Sequence, residues 1–332
     1  MTRTLSVLIP IYNHQDYFRE QIESVLSQSR VPDEILVIDD ASSDDSYEVA
    51  REYAGRHPDF RVMRNPKNLG VNGTLKRLLN EATSEYVTFT AADDLMLAGY
   101  LEQSMLILES HPRAALCCSY PVYFDDTRTF LREQDFGWSA GSVYYSPREL
   151  AGKLRRSGQI SGHTTVVRRE LLKKYILDEE LRWHADAFLF TELGLRYGIC
   201  FVPRGLAAFR IRLDSYVSRG QSDAAAEIAI IRKVMRLMNA PERRDILRLF
   251  AISRHLAYYG TNVIPALLGD RSLWNIRNFA MLEGLVARTL PGWLIGKAKR
   301  ILYLILPAKI WNRAKSIVLK GNKLVFPPKA GT

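Results

Sequence analysis

Short runs rich in β-branched residues alternate, through residues 5–119, with stretches whose apolar side chains recur at helical spacing. Leu5–Ile9 and Ile35–Ile38 read as strands covered on both faces, and between them Phe18, Ile22, Val25 and Leu26 fall on one face of a helix. Further runs at Phe60–Met63, Tyr86–Thr90 and Ala114–Ser119 are separated by helical stretches at Val71–Ala82 and Gly99–Ser110. Strand and helix in this order predict an α/β fold with a mainly parallel sheet, flanking helices and right-handed crossovers. A chain of 332 residues, 47% of them hydrophobic, has the apolar material to bury such a sheet.

Beyond this the pattern changes. Residues 120–162 are irregular and aromatic, His163–Arg168 predicts a strand leading into a short helix, and Ala185–Tyr197 predicts an amphipathic helix. Two apolar runs follow, Ile199–Val202 and Leu206–Ile211, and residues 224–268 are helical in composition. The Gly220-Gln221-Ser222-Asp223 stretch separates the two parts. The expected organisation is a domain over 1–220, a helical extension over 221–280 and a basic amphipathic segment over 281–332.

The formal net charge of +10 is concentrated in that last segment. Residues 281–332 hold ten bases against one acid, Glu283, which leaves +1 for the rest of the chain. Three cysteines, Cys117, Cys118 and Cys200, make no disulfide framework, and no Cys/His spacing suits zinc, so a reducing compartment is expected. The chain enters Leu5–Ile9 without a basic, long apolar leader, and the folded domain is expected in the cytoplasm.

Open parallel sheets bind ligands beyond the carboxyl ends of their strands. Three loops at such ends are polar: Pro10-Ile11-Tyr12-Asn13, Asp39-Asp40-Ala41-Ser42-Ser43-Asp44, and Ala91-Ala92-Asp93-Asp94. Each alone reads equally well as a helix cap. Together they bring carboxylates to one edge, where they repel unless a cation or donor groups lie among them, and hard oxygen ligands suit Mg²⁺ or Mn²⁺. A divalent metal bridging a diphosphate accounts for all three.

The Ser6-Val7-Leu8-Ile9-Pro10-Ile11-Tyr12-Asn13 opening, the Val37-Ile38-Asp39-Asp40-Ala41-Ser42-Ser43-Asp44 segment, the Asn68-Leu69-Gly70 turn and Glu85-Tyr86-Val87 running into Asp93-Asp94 resemble the family 2 glycosyltransferases over residues 4–215. The resemblance implies the GT-A (Rossmann-like) fold and an inverting enzyme. It also implies a nucleotide-diphosphate-sugar donor, typically UDP-linked, and Mn²⁺ or Mg²⁺ as cofactor. Carried over residue by residue, it places Pro10, Tyr12 and Asn13 in the nucleotide pocket and Asp40 against the base, with Asp39 the second candidate of that pair. The family's D-x-D aligns with Ala91-Ala92-Asp93, so its first acid is absent and the run continues to Asp94; either Asp93 or Asp94 is then the metal ligand, the other facing ribose. Lys76 stands where a cation would meet the diphosphate, or is an exposed helix lysine.

The family's base is an aspartate near the start of a late helix, and Trp183-His184-Ala185-Asp186 matches it with Ala185 in place of the usual Glu. Asp186 is the expected base for the acceptor hydroxyl, although an aspartate compensating the helix dipole would read the same. His184 is expected to wall the acceptor site. His163 is expected either at the donor sugar or in the core. Arg210 and Arg212 are expected at the diphosphate, Arg210 first, both on one strand face.

In the tail the longest uncharged stretches, Thr289–Gly296 and Ile301–Ala308, are too short to span a bilayer. Ile310, Trp311, Ala314, Ile317 and Val318 share a helix face opposite Lys309, Arg313 and Lys320, the pattern of a segment lying on an anionic membrane surface. A packed helix and a nucleic-acid arm are the alternatives, and nucleic acid is not expected. The expected whole is a cytoplasmic enzyme held at the inner face of the cell membrane, moving a sugar to a glycan or lipid-linked acceptor for a cell-surface polysaccharide. A sugar nucleotidyltransferase would instead carry a Gly-rich basic loop after the first strand. A degenerate nucleotide- or sugar-binding scaffold would follow from Ala91 and Ala185 standing where acids are usual.

Overall fold

The computed structural model describes residues 3–127, 131–156, 158–175, 178–212, 220, 223–273 and 278. It divides into two compact units between Ser222 and Asp223. The first opens as β1 (Leu5–Ile11), α1 (Gln15–Leu26), β2 (Glu34–Asp39), α2 (Ser46–Ala54), β3 (Phe60–Arg64), α3 (Gly70–Glu81) and β4 (Tyr86–Phe89). These four strands lie in the order β3-β2-β1-β4, all parallel. Alternate β1 residues Leu5, Val7, Ile9 and Ile11 are buried in one core with Phe18, Ile22 and Val25 of α1, which is why the helical face runs along this strand.

The sheet continues through short β5 (Leu95–Met96), α4 (Tyr100–Ser110), β6 (Leu116–Phe124), β7 (Leu131–Glu133), β8 (Val143–Tyr145), α5 (Pro147–Arg156), β9 (Thr165–Arg168), α6 (Arg169–Lys174), α7 (Ala185–Tyr197) and β10 (Ile199–Arg210). Here it is mixed: β9 lies antiparallel between β4 and β6, β10 is parallel to β6, and β5 closes the edge antiparallel to β10. The two apolar runs expected after residue 199 are one strand whose register against β6 shifts on either side of Gly205. Pro203 has no N–H to give the ladder, so the strand is interrupted in pairing but not in direction. Cys117, Cys118 and Cys200 are free and buried.

In the second unit Asp223 caps a helix over Ala224–Asn239, its Oδ1 accepting the N–H groups of Ala225 and Ala226 at 3.1 and 3.0 Å. Ile230, Ile231, Val234, Met235 and Met238 of that helix are buried, as are Val263, Ala266 and Leu267 of the helix Val263–Leu268. Among the described residues no helix is long and apolar enough to cross a membrane. The expectations for residues 281–332 lie outside the described residues.

Candidate active site

From β1 the chain steps to β2 and β3 on one side and to β4 on the other, so the strand order reverses between β1 and β4. The loops leaving β1, β2 and β4 meet beyond their carboxyl ends, at the position where open α/β sheets form their crevice. The first two are stitched together: the Asn13 N–H donates to Ser42 Oγ at 3.0 Å, the Ser43 N–H to Asn13 Oδ1 at 2.9 Å, and the His14 N–H to Ser46 Oγ at 2.9 Å. Asn13 and Ala41 hold left-handed backbone, φ 53° and 61°, a conformation that L residues other than Asn and Asp rarely accept. Pro10 is half-buried while Tyr12 and Asn13 are exposed, Tyr12 at 46%.

Asp39, the last residue of β2, and Asp40 just after it are built into the corner where β2, β3 and α3 meet. Asp39 is fully buried; its Oδ2 accepts the Ser42 N–H at 3.2 Å and pairs with Arg64 Nε at 3.0 Å. Asp40 accepts through Oδ1 alone, from Asn65 Nδ2 at 2.6 Å and from the Leu69 N–H at 2.8 Å. Asn65 donates also to Thr74 Oγ1 at 2.9 Å and accepts from Arg77 at 2.6 Å. Lys76 is exposed on α3, and Arg77, one residue later, is the α3 cation that reaches this corner alongside Arg64 of β3. Sequence reasoning missed Asn65 and Arg77. The Asn65-Pro66 turn after β3 was a signal for the first, whereas nothing local distinguishes Arg77 from Lys76.

The two acids after β4 differ sharply. Asp93 Oδ2 lies 3.6 Å from His14 Nε2 and 3.5 Å from Arg212. Burial pushes its carboxyl up, but His14 and then Arg212 more than offset this and hold it below the usual carboxylate range. Asp94 is buried, its Oδ1 accepting the Arg210 N–H at 2.9 Å and its Oδ2 lying 3.4 Å from His163 Nδ1. Burial first, then the neighbouring Asp93 charge, push this carboxyl well above its ordinary value. Burial lowers His163 to about 4, so the imidazole is neutral at pH 7. Its Nε2 faces the Leu95 carbonyl at 3.4 Å, an acceptor that suits a proton on that nitrogen, and Nδ1 lies against Asp94 Oδ2 without a hydrogen bond.

Arg210 and Arg212 also part company. The Arg210 guanidinium lies between the rings of Tyr17 and Phe124, 4.7 and 4.6 Å from their centroids. It donates to the Asp93 carbonyl at 2.8 Å, Glu20 at 2.6 Å and Asp126 at 2.8 Å, and only 4% of the side chain is exposed. Arg212 covers the Tyr17 ring, 4.7 Å away, and directs its guanidinium to the Asp93 carboxylate.

Asp186 stands in the first turn of α7, half-buried, with Oδ2 accepting the Gly162 N–H at 3.0 Å. Burial raises its carboxyl above the ordinary value, and the backbone N–H groups of Ala187 and Gly162 offset part of that. The chain enters α7 through Arg182 at φ 47° and ψ −118°, a strained kink for a side-chain-bearing residue, and His184 behind it is buried.

The residues present suit a divalent ion of the Mg²⁺ or Mn²⁺ type. Such ions take one or two carboxylates and complete their shell with substrate phosphates and water. Asp93, held below the usual carboxylate range between His14 and Arg212, is the more exposed carboxylate of its pair, while Asp94 is committed to Arg210 and His163. Among the described residues no group of three or more His, Cys, Asp or Glu could hold a metal by protein ligands alone.

The family model of Glycosyl transferase family 2 matches residues 6–176. Among curated relatives, EpsH of Bacillus subtilis (strain 168), named as a glycosyltransferase, is 27% identical over 227 residues, a match spanning 66% of this chain and 64% of EpsH. EpsE of the same organism, also named as a glycosyltransferase, is 32% identical over 225 residues, 66% of this chain and 74% of EpsE. The minor teichoic acid biosynthesis protein GgaB of that organism is 27% identical over 63% of this chain and 23% of its own length. Among solved structures, S. aureus TarS 1-349 in complex with UDP-GlcNAc superposes with a TM-score of 0.63 at 18% identity, over 85% of this chain and 80% of that one. The mannosyltransferase PcManGT from Pyrobaculum calidifontis, in complex with GDP-Man and Mn²⁺, gives 0.56 at 20% identity over 95% and 85%. At these identities the superpositions show a shared fold.

Proposed function

The chain belongs to glycosyl transferase family 2 and is a glycosyltransferase, and from that premise we propose that it is inverting, metal-dependent and specific for a UDP-sugar, with Asp186 as its base. The observation that carries this reading is the ionised Asp93 carboxylate facing His14 across the reversal of strand order, with Asp186 on a separate element. The two halves match the two tasks of a single displacement. One holds the leaving diphosphate and the other takes a proton.

On the donor side Tyr12 offers an exposed ring to the base, Pro10 and Asn13 shape the pocket wall, and Asp40 has Oδ2 left to accept a base N–H. Asp39 serves by holding Arg64 in place. Asp93 would hold the metal together with diphosphate oxygens, and Arg212 has the reach to meet the same diphosphate. When bound, Mn²⁺ or Mg²⁺ neutralises charge developing on the leaving group. Asp186 takes the proton of the acceptor hydroxyl as that oxygen bonds to the anomeric carbon. The bond from that carbon to the diphosphate oxygen breaks, its electron pair leaves with the nucleotide, and the configuration inverts. His184 walls the acceptor side. A structure of TarS holding UDP-GlcNAc, and one of PcManGT holding Mn²⁺, support the donor and metal classes.

The acceptor is a glycan or lipid-linked glycan of the cell surface, supported by the relative named for minor teichoic acid biosynthesis. The three-part organisation belongs to the same proposal: the enzyme works in the cytoplasm, and its basic segment 281–332 rests on anionic lipid where such an acceptor would be presented. Deleting that segment should release the protein from phosphatidylglycerol-containing vesicles and leave nucleotide binding intact; unchanged vesicle binding would refute the membrane role. The donor reading is tested by calorimetric titration of UDP, GDP and dTDP with and without Mn²⁺. Metal-strengthened binding of UDP alone is expected. Failure of all three to bind a folded sample would favour the scaffold alternative raised by Ala91 and Ala185.

A further inference from the structure

The 3-10 turn Gly162–Thr164 touches both carboxylate centres. Gly162 gives its N–H to Asp186, and the next residue, His163, sets its imidazole against Asp94 and the Leu95 carbonyl. One trans peptide, about 3.8 Å from Cα to Cα and planar, therefore separates the hydrogen bond to Asp186 from the imidazole packed against Asp94. The turn is itself held: Gly162 O accepts from Thr165 Oγ1 at 2.6 Å, and His163 O accepts from the Tyr100 hydroxyl at 3.3 Å, which lies 3.2 Å from Thr88 Oγ1 on β4. There is no slack at the Asp186 end. A Cβ at 162 would come 2.6 Å from Asp186 Oδ2 and 3.2 Å from both Asp186 Cβ and the Phe190 ring. At the other end the His163 ring is 5% exposed and packs 4.6 Å from the Phe209 ring, so it cannot turn away from Asp94 without repacking β10.

We propose that the Gly162–His163 peptide sets the separation between the donor loop at Asp93–Asp94 and the base Asp186, so that Gly162 and His163 are positioning residues that touch neither sugar. The inference rests on the reading of Asp186 as base. An in-line displacement needs the acceptor oxygen, anomeric carbon and leaving oxygen aligned, and an error of about 1 Å in such a geometry costs on the order of 100-fold in rate. A rigid gauge between the group that holds the leaving diphosphate and the group that aims the acceptor supplies that alignment without contacting either. Of the two expectations for His163, a donor-sugar contact or a core histidine, this role starts from the second, the ring being buried.

The test uses the full chain and water as the acceptor, following UDP or GDP release from whichever of UDP-GlcNAc, UDP-glucose and GDP-mannose the unaltered protein hydrolyses fastest, with Mn²⁺. Gly162→Ala is expected to lower kcat about 100-fold with UDP affinity unchanged in calorimetry. His163→Phe is expected to lower kcat about tenfold with KM for the donor little changed. The double variant is expected to be no slower than Gly162→Ala, because a link already broken at one end has nothing more to transmit. Losses that multiply in the double variant, or a raised KM with kcat intact in His163→Phe, would overturn the proposal. Should His163→Phe not fold, Thr165→Val frees the Gly162 carbonyl and is expected to lower kcat with KM unchanged; an unaltered kcat would overturn the proposal equally. Asp186→Asn is measured alongside. Turnover retained in that variant refutes the base itself, whereas turnover lost there but unaffected in the turn variants refutes only the gauge.

Discussion

Asp93 and His14 face each other at 3.6 Å across the point where strand order reverses, joining the loop after β4 to the loop after β1. Neither loop alone makes a site. Their meeting keeps Asp93 ionised while its neighbour Asp94, buried and turned to His163, keeps a raised carboxyl. The two adjacent carboxyls are thus pushed in opposite directions, Asp93 down and Asp94 up, which is why Asp93 is the one proposed to hold the metal.

The expected consequence is an asymmetry between two conservative changes. Asp93→Asn should remove most of the gain that Mn²⁺ brings to UDP affinity, about tenfold or more. Asp94→Asn should keep that gain, since an amide can still accept the Arg210 N–H. Calorimetric titrations of both variants with and without Mn²⁺ check this, and equal loss in the two would show that both acids bind the ion.

Asp186→Asn should abolish transfer while leaving UDP affinity within about twofold, because the proposed base serves the acceptor half and stands on a different element from the nucleotide loops. It should also stabilise the protein at neutral pH. A carboxyl raised in the folded state favours folding below its unfolded value, about 3.9, and loses that advantage as pH rises through the folded value. The asparagine avoids the loss while still accepting the Gly162 N–H. Thermal midpoints at pH 7 and pH 3.5 check the sign: a gain at the first that vanishes at the second. The acid limb of transfer activity in the unaltered protein should correspondingly lie above the ordinary aspartate range.

Most of this architecture is legible in the sequence where a physical pattern is long enough to carry it. The strands β1, β2 and β4 read as runs because both of their faces are covered, the edge strand β3 carries exposed Arg61 and Arg64, and α7 spans Ala185–Tyr197 as its periodicity predicts. Strands of two or three residues, β5, β7 and β8, leave no period to detect, and β10 reads as two runs because Pro203 and Gly205 interrupt its composition. The alternation of strand and helix gives the parallel direction of β1 to β4, but the antiparallel direction of β9 and β5 is invisible, since a buried strand looks alike beside either neighbour. In the site, the loops are legible because sheet topology places them. The partners of a given side chain are not: Arg210 is paired with Glu20, which lies 190 residues earlier, and no local pattern encodes that contact. Strand alternation puts Arg210 and Arg212 on one face with Arg210 only narrowly ahead at the diphosphate, and packing separates them.

That separation has measurable consequences. Arg210→Ala removes a guanidinium stacked between two rings and bonded to three elements, so it should cost about 2 kcal/mol of stability. The Asp93 carbonyl loses its donor in the same change, and UDP affinity should fall as a secondary effect. Arg212→Ala should cost less stability than Arg210→Ala and yet lower UDP affinity about tenfold through loss of a charge-assisted bond. Denaturant melts and UDP titrations on both variants separate the clamp from the ligand contact; a stability loss in Arg212→Ala as large as in Arg210→Ala would erase the distinction.

Asn65 offers the sharpest test of the nucleotide corner. Its amide donates to Asp40 Oδ1 and Thr74 Oγ1 and accepts from Arg77, joining β2, α3 and the loop between β3 and α3 through one buried side chain. Asn65→Ala leaves these groups without a shared partner and should cost roughly 1–3 kcal/mol of stability. If Asp40 reads the base, the same change lets its carboxylate rotate, and UDP affinity should fall about tenfold with the Mn²⁺ gain preserved, since Asp93 is untouched. Asn65→Asp should be worse on both counts, because a second carboxylate at 2.6 Å from Asp40 repels it. Melts and titrations on the two variants decide the matter: lost stability with unaltered UDP affinity would make the corner a structural joint and move base recognition away from Asp40.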